Sequence, residues 1–229
     1  MGILRKAIVV SLAVTLLVPS TSPASAAPAP ESGPGRLADA LLTDKDLPKG
    51  WAVFDAALMG GMLPGTLDPN RLGADPCALP ASPPLKDVVK PPKGRAAKKI
   101  KLEFAAFMKG DDGPMLLQTL AGTGEKLARA MVDDTREMLK RCPVLKSDTL
   151  GIEMSALKKF PEVGDDSQAL NMTVTLKEGD FAVAVPGKLV AIASGDVYAT
   201  VALVGTEEPA TAELKKLTKR ALRKLAETH

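Results

Sequence analysis

Histidine is all but missing from this chain. The single one is the last residue, His229. An imidazole at a chain end is badly placed to serve a Ser-His-Asp or Cys-His nucleophile. It also leaves no ligand set for a His-rich zinc or iron site, and two cysteines without a histidine partner do not replace one. Aromatics are scarce as well: five Phe, one Tyr and one Trp. That leaves little for stacking sugars or bases. No glycine-rich phosphate loop is present, because Gly60-Gly61-Met62-Leu63-Pro64-Gly65 has the wrong spacing and no strand-to-helix context. No G-x-S-x-G elbow occurs either. Carboxylate-only hydrolysis survives these exclusions. The acid pairs Asp111-Asp112, Asp133-Asp134 and Asp165-Asp166 are adjacent in sequence, however, and neighbouring side chains diverge rather than share a site. Gly164-Asp165-Asp166-Ser167 lacks the alternating acids and closing Glu of a calcium loop. The expectation is a protein that is not an enzyme and carries no cofactor and no metal.

What is present begins with an export pattern. Arg5 and Lys6 precede an apolar run, Ala7–Val18, that is short for a bilayer span, and Ala24-Ser25-Ala26 forms an A-x-A cleavage site. Residues 1–26 therefore read as a signal peptide, a retained membrane anchor being the alternative. No cysteine lies near the cleavage point, so a lipid anchor of lipoprotein type has no attachment residue. Removing residues 1–26 takes away two cations and no acid, lowering the formal charge from +3 to +1. Net charge therefore gives no support for nucleic-acid binding. The reading is a secreted, extracellular protein. In that setting Cys77 and Cys142 are expected to pair. An intermolecular bridge or two reactive thiols is the alternative. The intramolecular pairing closes a loop of about 65 residues, worth about 4 kcal/mol on the chain-entropy model.

Residues 27–36 are a Pro/Ala-rich tether, and residues 37–229 read as one domain. Arg36–Leu42 has a short helical pattern. Thr43 followed by Asp46 resembles a capping box opening one helical turn, and Trp51 reads as a core anchor. Residues 55–96 are Gly- and Pro-rich and read as a long loop, with a helical turn near Leu85–Val89. Period-two alternation through Ile100, Leu102, Phe104, Ala106 and Met108 predicts a strand, returning as a hairpin at Met115–Leu120. Gly124–Cys142 predicts a helix with Thr123 at its N-cap and Leu127, Met131, Met138 and Cys142 on the buried face. Further strands are predicted at Leu150–Leu157, Leu170–Leu176, Phe181–Val185, Leu189–Ala193 and Val197–Val204. The glycosylation sequon Asn171-Met172-Thr173 falls mid-strand and reads as chance. A last helix is predicted from Pro209 to about Ala226, with Leu214, Leu217, Ala221 and Leu225 inward. Its other face carries Lys215, Lys216, Lys219, Arg220, Arg223 and Lys224, either a solvated surface or a contact for an anionic envelope polymer or lipid. Successive strands without intervening helices predict an α+β fold: an antiparallel sheet of five to seven strands with helices packed on it and one disulfide.

The order of features resembles a known family. Leu42-Thr43-x-x-Asp46-Leu47-Pro48-x-Gly50-Trp51 opens the domain, followed by Cys77, the Phe104 strand and the helix ending Cys142-Pro143. Val163-Gly164-Asp165-Asp166-Ser167, Gly195-Asp196-Val197 and the C-terminal helix follow. This pattern is similar to the PknH-like extracellular sensor domain family of actinobacteria, across about residues 37–227. The resemblance implies an antiparallel sheet with helices and a ligand cleft. Many members carry a second disulfide, for which this chain has no cysteines, and the expectation is a member that does not signal through an attached kinase domain.

The strands are unusually small and apolar on both faces, with Ala105 and Ala106 beside Phe104 and Phe107, and Ala182 and Ala184 among Phe181, Val183 and Val185. Either both faces are covered or one lines a cavity. The expectation is therefore a freestanding, secreted, non-enzymatic sensor-type domain that binds a hydrophobic small molecule or lipid. Phe104, Phe107, Met172, Val174 and Phe181 are the candidate cleft residues. The alternative is a structural or interaction protein of the cell envelope that uses the basic last helix.

Overall fold

A computed structural model describes residues 37–54, 77, 101–146, 150–178 and 181–228. The readings of residues 1–26, of the 27–36 tether and of the 55–96 loop apart from Cys77 lie outside these. Two 3-10 turns, Leu37–Ala40 and Asp44–Asp46, lead into β1 (Trp51–Val53). A hairpin follows, β2 (Lys101–Lys109) and β3 (Met115–Gly122), and then α1 (Glu125–Arg141). Next come β4 (Val144–Lys146), β5 (Leu150–Ala156), β6 (Asp166–Glu178), β7 (Phe181–Ser194) and β8 (Val197–Val204), and α2 (Thr211–Thr228) closes the fold.

All eight strands join one antiparallel sheet in the order β1-β2-β3-β8-β7-β6-β5-β4. The expected α+β architecture is present, with more strands than the five to seven predicted. Two differences account for the count. β1 and β4 have three residues each, too few to show alternation. Conversely, Phe181–Val185 and Leu189–Ala193 are parts of a single strand that runs through Pro186-Gly187. Proline lacks an N–H, so it fits a strand only where no ladder bond is needed. At Pro186 the neighbour β8 has just ended, its pairing starting at Gly187↔Val204.

Side-chain period two sorts the sheet into two faces. On the first, Phe107, Leu116, Leu120, Val201 and Leu203 meet Leu214, Leu217, Ala221 and Leu225 of α2, the stripe predicted for that helix. Trp51 joins this core at 7% exposure, as its reading as an anchor required. The helix starts at Thr211, two residues beyond Pro209. The Pro209 carbonyl instead accepts a 2.6 Å bond from Nζ of the buried Lys188.

α1 lies on the opposite face, over β5–β8. Its buried residues are Ala128 and Val132, packed on Ala193 and Tyr198. The predicted buried face is therefore rotated by one position: Leu127 is 44% exposed, Met131 and Met138 are half-buried, and only Cys142 of that set is buried. Small residues let the helix backbone approach the sheet closely, and the larger ones flank the contact. Thr123 does not cap α1. Gly124 holds that place at φ 85°, and the backbone N–H groups of Thr123 and Gly124 both donate to the Asp196 carbonyl. Arg136 fixes the helix to β6 through the Asp166 carboxylate and a 2.9 Å bond to the Ser167 carbonyl. Cys142, at the end of α1, forms a disulfide with Cys77 across a Cα–Cα distance of 5.2 Å.

Candidate functional site

One apolar concavity lies beside the short strand β1. Its pairing with β2 stops at Val53↔Phe107, and one more bond, 2.9 Å from the Phe54 N–H to the Ala106 carbonyl, extends it. Beyond that bond no described strand continues along this edge of β2. The result is a groove of about 570 Å³ lined by Leu42, Thr43, Asp44, Val53, Phe54 and the stretch Phe104–Phe107.

One wall of this groove is held firmly by local chemistry. The capping box forms as predicted: the Thr43 N–H and hydroxyl donate to Asp46 Oδ2 at 2.8 and 2.7 Å. The Leu42 N–H donates to the Oε1 of Gln118, a fully buried side chain, at 2.7 Å. From α2, Arg220 donates to the Asp46 carbonyl at 2.6 Å, and Lys224 pairs with the Asp46 carboxylate. Burial alone raises the pKa of Asp46, but the bonds from Lys224 and Thr43 outweigh it and hold the carboxyl below its ordinary value. The opposite wall is apolar: Val53 is 70% exposed, and Phe54 and Phe104 are half-buried. Chemically the groove offers an apolar slot with a hydroxyl and a carboxylate, Thr43 and Asp44, at one side. Such a slot suits binding, since pockets of this type orient a mainly apolar guest with few polar groups.

The five predicted cleft residues do not form one site. Phe104 and Phe107 line the groove, but from opposite faces of β2, and Phe107 is a core residue at 2% exposure. Met172 and Val174 share a sheet face with Phe104 but lie four strands away, about 19 Å at ordinary strand spacing. There they pair with Met154 and Ile152 of β5. Phe181 stands at the far end of the β6–β7 hairpin, 81% exposed. Leu42, Thr43, Asp44, Val53 and Phe54 were missed as lining residues. Their signal was the motif around Trp51, legible as a domain opening but silent about the strand edge it borders.

The six cations of α2 also divide. Arg220 and Lys224 are bound to Asp46, while Lys215, Lys216, Lys219 and Arg223 are exposed. Among the described residues no group of three or more His, Cys, Asp or Glu is placed to hold a metal ion, and no helix is long and apolar enough to cross a membrane. No protein-family model, no curated protein and no solved structure matches this chain.

Proposed function

We propose that this is an exported, non-enzymatic binding protein of sensor type, taking a small apolar molecule or acyl chain in the groove beside β2. The observation that carries the reading is the groove itself: about 570 Å³, apolar on one wall, with Thr43 and Asp44 on the other. The resemblance to the PknH-like sensor family points to the same class of function. Titration with a fluorescent fatty-acid probe tests it. The wild type should bind saturably. Val53→Asp and Phe104→Asp should weaken binding at least tenfold while keeping the wild-type circular dichroism. Val53 is the cleaner site, because a carboxylate at so exposed a position costs the fold little. Absence of saturable binding by the wild type would overturn the proposal. Export carries its own test: N-terminal sequencing of secreted protein should begin at Ala27.

The four exposed cations of α2 favour a second reading, contact with an anionic envelope surface. Sedimentation with phosphatidylglycerol vesicles at low salt, lost on replacing Lys215, Lys216, Lys219 and Arg223 with Gln, would support it. Binding unaffected by those replacements would remove it.

A further inference from the structure

On its β8 side, β7 runs past the end of its neighbour, while β5 still flanks β6 as far as Leu176. β7 has fourteen residues and β8 only eight. From Phe181 to Val185 one side of β7 is paired with β6, and no described strand lies along the other. Which backbone groups are open follows from the pairing. The Pro186 carbonyl accepts from the Gly205 N–H on the β8 side. Alternation along a strand therefore turns the N–H and C=O of Ala184 and Ala182 to the same, unpaired side. Phe181, Val183 and Val185 share one sheet face with Leu176 and Val174, the register partners of Val183 and Val185 across β6. Phe181 is 81% and Val183 59% exposed.

An uncovered apolar edge is an association site unless charge, a bulge or proline protects it. Here Phe181–Val185 carries no charge, and the one protective residue, Pro186, stands at its end. We infer that this edge pairs with the same edge of a second copy, antiparallel about a two-fold axis through Val183. In that register Ala182 of one copy faces Ala184 of the other. Each such pair exchanges both backbone hydrogen bonds, so every open group is used. Val183 meets its own copy, and Phe181 meets Val185, making one apolar cluster on one face. The paired stretch Phe181–Val185 is itself uncharged in both copies, so no like charges face each other within the ladder. Length selects the same partner. The open edge is bounded at one end by its own hairpin and at the other by Pro186 and Gly205, and an identical five-residue edge fits between these limits. The contact is small beside the roughly 800 Å² per partner of a standard interface, so the dimer is reversible.

Sedimentation of the full chain over a concentration series tests this. The mass should double as concentration rises, and Val183→Lys, which sets two cations on the axis, should abolish the doubling. A second variant reads the register. Val183→Cys places two thiols at the axis, where opposed Cα atoms about 4.5 Å apart suit a disulfide, so mild oxidation should link the copies. Phe181→Cys should not link, since its copy lies about 13 Å away along the strands. A wild type that stays monomeric throughout, a Val183→Lys protein that still dimerises, or equal linking by the two cysteine variants would each overturn the inference.

Discussion

Single residues decide several close contacts here, and Gly164 is the clearest. It sits at φ 67°, and a Cβ there would lie 2.5 Å from the Ala193 carbonyl oxygen and 2.7 Å from the Ile192 methyl. Both neighbours are buried in the central strand, and one of the clashing atoms is backbone, so neither can yield cheaply. Gly164→Ala is expected to cost about 2–4 kcal/mol, from left-handed strain plus overlap, measured as a fall in the urea midpoint at constant slope. Asp166 is the matching electrostatic case. The hydrogen bonds from Arg136 hold its carboxyl below the ordinary 3.8. A depressed folded pKa contributes stability that is fully present above the unfolded value and lost as pH falls through the folded one. Asp166→Asn should therefore lower stability at neutral pH and flatten the acid side of the stability profile below about pH 4. Unfolding midpoints from neutral to strongly acidic pH check both. An unchanged acid limb would show that other carboxylates dominate it.

At the scale of elements, α1 is where pattern and packing diverge. Its sequence offers two apolar arcs, one with Leu127 and the methionines, the other with Ala128 and Val132. Hydrophobicity favours the first; close approach to Ala193 and Tyr198 selects the second. Ala128 is fully buried, and Leu127 is 44% exposed. Ala128→Asp should thus cost more than 3 kcal/mol through an unpaired buried charge, while Leu127→Ser stays within about 0.5 kcal/mol. The reverse ranking, read by thermal melting, would place the helix on its other arc. α2 shows the opposite situation. It has only one apolar arc, and the structure buries that arc as read.

For the molecule as a whole, the disulfide is the longest covalent constraint. It joins Cys77 to the end of α1, and the Cys77 carbonyl also accepts from the Lys146 N–H of β4. Replacing Cys77 and Cys142 together by Ala should lower stability by about 2–4 kcal/mol, read from urea unfolding. Peptide mapping without reduction should recover the linked peptides from native protein. Two free thiols there would contradict the bridge.

By itself the sequence determined the fold class, the strands β2, β3, β5, β6 and β8, the buried stripe of α2, the Thr43–Asp46 capping box, the burial of Trp51 and a single possible intrachain disulfide. Each rests on local chemistry or on a period repeated over enough residues to be read. Tertiary structure decided the rest. The three-residue strands β1 and β4 exist because longer neighbours pair with them. Pro186 lies inside a strand only because β8 stops one residue short of it. Phe104 faces a groove, and Phe181 stands exposed far from it, because strand order and strand length, not alternation, place them. Alternation says which side of a strand a residue takes; it does not say what lies across from it. That is set by sheet order and by where each neighbouring strand ends, which depend on contacts between residues distant in the chain.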